Sequence, residues 1–240
     1  MKFLLLFICG LVAGIINTLA GGGSFITVAA MIFMGLPPTV ANGTNRIAIL
    51  FQNIMAVKRF KHFDLVPTEN LKGILIPAAM GAIAGAYMAS AIPDATFKRI
   101  FGALMILISF ITLYDPQRVA ERLRPSPKLL PAIFFLIGIY GGFIQAGVGF
   151  FILAALSLYG MDLVRANAVK VLVILIFTVF ALAIFAYRGK VDPLWGVVLA
   201  AGNATGAYIG VNLAVQKGHG FIRKFVLAAL MVVAVRLIIG

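Results

Sequence analysis

The stretch GLVAGIINTLAGGGSFITVAAMIFMGLPPTVANGTNR, residues 10–46, sets the reading of the whole chain. Residues 3–35, which overlap it, are apolar enough for the membrane but too long for one crossing, since a helix needs about 20 apolar residues to span a bilayer core. Gly21-Gly22-Gly23 falls near its middle, and three adjacent glycines weaken a helix more than close packing requires. The stretch therefore predicts helix–turn–helix, with both arms starting and finishing on one membrane face. Backbone at membrane depth that is not helical has to be buried in protein or line a watery cavity.

Composition agrees with this membrane reading. Of 240 residues, 62% are apolar and 11% charged, where a soluble domain carries about 25% charged residues. Twenty basic residues against seven acidic ones give +13. They cluster in short gaps between apolar stretches, which points to anionic headgroups and orientation in the bilayer rather than to nucleic acid. The single cysteine, Cys9, excludes an internal disulfide and any multi-cysteine metal site. His62 and His219 are expected in loops, without a second metal ligand at helical spacing. No cofactor is implied. The start, MKFLLLFICGLVAG, has the look of a secretory signal, but a second copy of this region later in the chain argues against cleavage.

That copy is GIYGGFIQAGVGFFILAALSLYGMDLVRANAVK, residues 138–170. Gly10, Gly14 and Gly21 recur as Gly138, Gly142 and Gly149, and Asn17 as the amide Gln145. Ala41-Asn42-Gly43 followed by Arg46 recurs as Ala166-Asn167-Ala168 followed by Lys170. Gly81-x-x-x-Gly85-Ala86-Tyr87 returns as Gly202-x-x-x-Gly206-Ala207-Tyr208. Residues 130–160 should accordingly form a second hairpin, broken around Gly147 and Gly149. Single crossings fit at about 39–57, 71–92, 96–114, 166–187, 193–215 and 220–239. The expected fold is all-α: a first repeat over 1–114, a basic cytoplasmic linker over 115–128 and a second repeat over 129–240. Each repeat is a glycine-broken re-entrant hairpin plus three transmembrane helices. Three net crossings per half is an odd number, so the halves are inverted, as in many transporters. Basic residues then predict both termini to be periplasmic.

The chemistry should lie at the turns. Two helix amino-termini meeting near the midplane favour an anion. Gly21, Gly22, Gly23 and Ser24 would offer backbone and hydroxyl donors, Gly147 and Gly149 their counterparts, and Asn17 and Gln145 the flanking amides. Arg46 and Lys170 sit near the starts of equivalent spans with no acidic residue placed to pair with them. A bound anion would supply the missing charge; snorkelling to the headgroups is the other reading. Thr44, Asn45, Asn42 and Asn167 add neutral donors, although Asn42 and Asn167 equally suit helix caps. Gln52 and Asn53 line a path or bond between helices. The Gly-x-x-x-Gly pairs are expected to pack helices closely. No nucleophile, base or metal set converges in the spans, so an enzyme is not expected.

The first copy, with its glycine run followed by Ala41, Thr44 and Asn45, resembles the sulfite exporter TauE/SafE family, with Arg46 where that family usually has lysine. The likeness extends over essentially the whole chain. Phe150 and Phe151 depart from glycines often seen in the second copy, leaving a tighter and more apolar turn. The resemblance implies a secondary transporter of a small sulfur-containing or organic anion, of the sulfite or sulfonate class, working by alternating access in the bacterial inner membrane. The partners implied are the anion and the lipid bilayer, and a homodimer is compatible with this. The competing reading is a non-transporting scaffold or assembly subunit.

Overall fold

Apolar runs punctuated by glycine and proline fold here as helices. The structure, a computed structural model, describes residues 1–19, 21–66, 71–113 and 126–239, with side chains described except at 109–113 and 218–239. In chain order the helices are α1 (Lys2–Leu19), α2 (Ser24–Phe33), α3 (Pro38–His62), α4 (Lys72–Ala91) and α5 (Asp94–Leu113). A 3₁₀ turn (Pro127–Leu129) then leads into α6 (Leu130–Phe143), α7 (Val148–Leu158), α8 (Leu163–Tyr187) and α9 (Pro193–Ile239). Pro38 opens α3 at its first position, where a missing N–H costs nothing. Asp162 caps α8, accepting from the Val164 and Arg165 N–H groups. Both over-long stretches are two helices with a break between them, as their glycines predict.

Two expectations need correction. The last two crossings, at about 193–215 and 220–239, run together as one helical stretch. Gly218 and Gly220 are the helix-weakening residues at their junction, and each costs about 1 kcal/mol without proline to enforce a stop. Likewise His219 lies on the helical backbone of α9, and His62 is the last residue of α3, so neither is in a loop. Of the expected linker, residues 115–125 lie outside the described residues.

Among the described residues, α1, α4, α8 and residues 193–217 of α9 are long and apolar enough to cross a membrane. The 25-residue α3 is long enough but too polar by composition, because its polar side chains face protein. Arg46, Asn42, Asn45 and Asn53 are fully buried, whereas Leu136, Val197 and Met80 stand 64%, 60% and 58% exposed. A polar interior inside an apolar exterior is the arrangement that lipid demands. The chain is a multi-pass membrane protein.

The helices pair across the halves of the chain. α1 lies along α9 and α4 along α6, while α3 packs on α9 and α8 on α4; α3 and α8 meet in the centre. Glycine makes the two seams. A Cβ on Gly10 or Gly14 would run into the Leu199 or Asn203 carbonyl, and one on Gly202 or Gly206 into those of Phe7 or Leu11. The other seam repeats this, with Gly138 and Gly142 against Ala78 and Ala82, and Gly81 and Gly85 against Phe135 and Ile139. Each repeated tyrosine also meets an arginine from another helix. Arg59 stacks 4.8 Å from the Tyr208 ring and Arg188 4.6 Å from that of Tyr87.

These seams allow a direct test. Gly14→Ala or Gly142→Ala pushes a methyl into main chain that cannot step aside, and should cost about 1–3 kcal/mol. Thermal melting of the purified protein in detergent should fall for both. Gly73→Ala, whose Cβ meets nothing within 4 Å, should melt as the parent does.

Candidate functional site

The two chain breaks touch each other. α1 ends at Leu19, the Gly21 N–H reaches back to the Ile16 carbonyl at 3.1 Å, and the Ser24 N–H is held by Asn17 Oδ1 at 3.2 Å as α2 begins. In the second break Ile144 N–H bonds to the Tyr140 carbonyl, and the Tyr140 hydroxyl donates to that of Ala146. The Gly147 N–H then donates to the Gly21 carbonyl at 3.2 Å, joining one turn to the other. Gly21 has φ +104° and Gly147 φ +78°, conformations glycine adopts without penalty. A Cβ on Gly21 would also stand 2.5 Å from Gly149 Cα. Gln145, at φ 64°, holds the same left-handed region without being glycine, a strain of the kind that collects at functional sites.

A helix that stops inside a bundle leaves carbonyls without partners and a partial negative charge. Both breaks meet this need with a cation from a helix of the opposite half. Arg46, on α3, donates from its two terminal nitrogens to the Gly141 and Gly142 carbonyls at 3.1 and 2.6 Å, its guanidinium 4.7 Å from the Phe185 ring. Lys170, on α8, donates to the Asn17 and Thr18 carbonyls at 3.0 and 2.9 Å. Neither side chain is exposed at all. The sequence placed no acidic residue to pair with these cations, and among the described residues none bonds to them: main-chain carbonyls at helix ends accept their hydrogen bonds instead. Snorkelling is excluded for the same reason, since both heads point inward.

Around the first turn runs a chain of neutral polar groups. Asn17 Nδ2 donates to Gln52 Oε1 at 3.1 Å and to Ser24 Oγ at 3.4 Å, and Asn203 Nδ2 donates to the same Gln52 oxygen at 3.1 Å. The Thr27 hydroxyl donates to Asn45 Oδ1 at 2.7 Å. Beside the second turn Gln145 donates to the Thr178 hydroxyl at 2.7 Å. Phe150 lies over Gly22, whose added Cβ would come 3.0 Å from the ring. The N–H groups of Gly22, Gly23 and Gly149 find no acceptor among the described residues.

The structure therefore gathers Asn17, Gly21, Gly22, Gly23, Ser24, Gln145, Gly147 and Gly149 at the paired turns, with Arg46 and Lys170 on the helix ends beside them. Asn45 joins through Thr27. Thr44 does not: its hydroxyl accepts from the Asp192 N–H at 2.8 Å, in the connection between α8 and α9. Asn42 and Asn167 lie inside α3 and α8 and cap neither. Asn42 donates to the Phe143 carbonyl at 2.9 Å, and Asn167 has no partner at either end of its amide among the described residues. Gln52 bonds between helices, whereas Asn53 turns back to the Ile49 carbonyl of its own helix. Sequence reasoning missed Thr27, Thr178 and Asn203. The available signal for Asn203 was its place inside Gly202-x-x-x-Gly206, an amide on an otherwise small-residue face. Among the described residues, the aspartates with hydrogen bonds, Asp94, Asp162 and Asp192, serve helix ends away from the turns.

The capping role of Arg46 has a measurable consequence. Arg46→Met leaves the Gly141 and Gly142 carbonyls without donors and should cost on the order of 3 kcal/mol. Lys58→Met, on the exposed side of α3, should change stability by less than about 0.5 kcal/mol. Comparative thermal melts in one detergent would reveal the difference.

Relatives of the chain are named as membrane transporters. A curated protein of Sinorhizobium sp, "Probable membrane transporter protein ORF9", is 30% identical over 239 residues, covering 97% of this chain and 91% of its own length. A probable membrane transporter protein of Haemophilus influenzae is 31% identical over 228 residues, 92% of this chain and 89% of its own length. The Escherichia coli probable membrane transporter protein YfcA is 27% identical over 237 residues, 97% and 88% respectively. The family model described as "Sulfite exporter TauE/SafE" matches residues 6–237, and the chain belongs to this family of membrane transporters.

Proposed function

We propose that the protein is a secondary carrier that moves a small sulfur-containing or organic anion, of the sulfite or sulfonate class, across the bacterial inner membrane by alternating access. Residues 1–114 and 129–240 are, in this reading, two inverted repeats joined by a cytoplasmic linker, with both termini periplasmic. Each repeat is a re-entrant hairpin followed by three crossings. The observation that carries the reading is the contact between the two breaks, from the Gly147 N–H to the Gly21 carbonyl, flanked by two buried cations.

Charge arithmetic supports an anion. Two helix carboxy-termini at about −0.5 each and two amino-termini at about +0.5 each sum to nothing. Arg46 and Lys170 then leave the centre at about +2, with no carboxylate bonded to either cation among the described residues. The N–H groups of Gly22, Gly23 and Gly149, which have no acceptor among the described residues, together with the Ser24 hydroxyl, Asn17 and Gln145, suit oxyanion oxygens. Asn45, through Thr27, and Asn167, unpartnered among the described residues, belong to the same set in this reading, whereas Thr44 is engaged by the Asp192 N–H.

Flux into proteoliposomes tests this. Labelled sulfite or a short alkanesulfonate should accumulate, and Lys170→Ala should reduce the rate at least about tenfold, the loss expected when a charged hydrogen bond to substrate is removed. Flux of carboxylates alone would move the substrate class. The absence of flux with any anion would leave the scaffold reading in place of the carrier.

A further inference from the structure

The two cations occupy matching places, yet their surroundings differ, and the difference assigns them separate tasks. On α3, Asn42 and Arg46 between them occupy three consecutive carbonyls, those of Gly141, Gly142 and Phe143. The guanidinium is further held against the Phe185 ring. On α8, Lys170 occupies two carbonyls, but Asn167, which matches Asn42 in the repeated Ala-Asn motif, occupies none. Its side chain is 0% exposed, and among the described residues both Nδ2 and Oδ1 are unpartnered. Asn45, Asn53, Gln145 and Asn203 also carry an unpartnered amide atom, but each bonds through its other end.

We infer that Asn167, together with Lys170, is the group that receives the transported anion, and that Asn42 with Arg46 is the structural counterpart that keeps the second break in shape. The inference rests on the carrier reading above. A buried amide loses its water hydrogen bonds, and in a bilayer no solvent replaces them. Leaving both ends open is a stability loss that a leucine of similar volume would avoid. The orphan does not depend on which way the amide is drawn, because neither end has a partner. Asn167 and Lys170 are three residues apart on one helix and so share a face. Between them they offer the two amide N–H groups and the third ammonium N–H that the Asn17 and Thr18 carbonyls leave over, with Asn167 Oδ1 as an acceptor. That set matches a small oxyanion. On the Arg46 side every nitrogen but the guanidinium Nε already donates to a carbonyl, and Asn42 keeps only its Oδ1 without a partner, so what sets Asn167 apart is that neither end of its amide is engaged among the described residues.

The test compares stability with transport in the full-length protein, using sulfite and a short alkanesulfonate as probes. Asn167→Leu should melt as high as the parent or about 2–4 °C higher, as loss of roughly 1 kcal/mol of orphan cost implies for a chain of this size. Its KM in proteoliposomes should rise by on the order of tenfold or more. Asn167→Ala should raise KM in the same way, and serves if the leucine does not fit. Asn42→Leu should instead lower the melting temperature, because the Phe143 carbonyl is left bare. A lower melting point for Asn167→Leu like that of Asn42→Leu, or an unchanged KM in both Asn167 variants, overturns the assignment while leaving the carrier reading intact. A parent protein that moves no anion overturns the carrier reading first.

Discussion

A helix interrupted inside a membrane protein exposes carbonyls that neither lipid nor a following turn can satisfy, and the rest of this structure is arranged around meeting that demand. Lys170 reaches the end of α1 and Arg46 the end of α6. Each cation stands on a long helix from the other half of the chain. The breaks are therefore stable only when the halves are assembled, which couples the local geometry of each glycine turn to the global fold. The same bonds bring positive charge to the centre without the acidic partner that would cancel it.

The glycine seams set the frame in which this happens. Along α1–α9 and α4–α6 the contact is main chain against main chain, so little side-chain rearrangement is available there. In the carrier reading, opening the centre occurs between these pairs, where the contacts include the Lys170 and Arg46 bonds and the bond between the two turns. Hydrogen bonds that exchange for others of similar strength suit a two-state element better than interlocked backbones do.

The two turns are alike in path and unlike in chemistry. The first has three glycines and a polar surround of Asn17, Ser24, Gln52, Thr27 and Asn203. The second has Gln145 in a left-handed conformation, with Phe150, Phe151 and Tyr140 around it. If the two halves are repeats, as the sequence suggests, the polar groups among the described residues fall mostly in one copy. An anion held between the turns would meet donors on one side and aromatic rings on the other, an arrangement that accommodates an oxyanion head with an apolar remainder.

Much of this is legible in the sequence. The apolar content demands a membrane, Gly21-Gly22-Gly23 and the Gly147 region demand two breaks, and the repeated glycine pairs demand close helix packing, because these follow from local propensity and from the cost of unpaired backbone in lipid. The middle of α9 was less readable: two glycines, at 218 and 220, without a proline do not decide between a turn and a continuing helix. What Arg46, Lys170 and Asn167 bond to was not readable at all. For the two cations the partners lie 95 or more residues away, for Asn167 none stands among the described residues, and a sequence does not state which carbonyl a buried cation meets. Periodicity and glycine spacing set the elements and their breaks through short-range physics. The pairing of helices across the halves, and with it the division of labour between the two cations, was decided only when distant segments packed together.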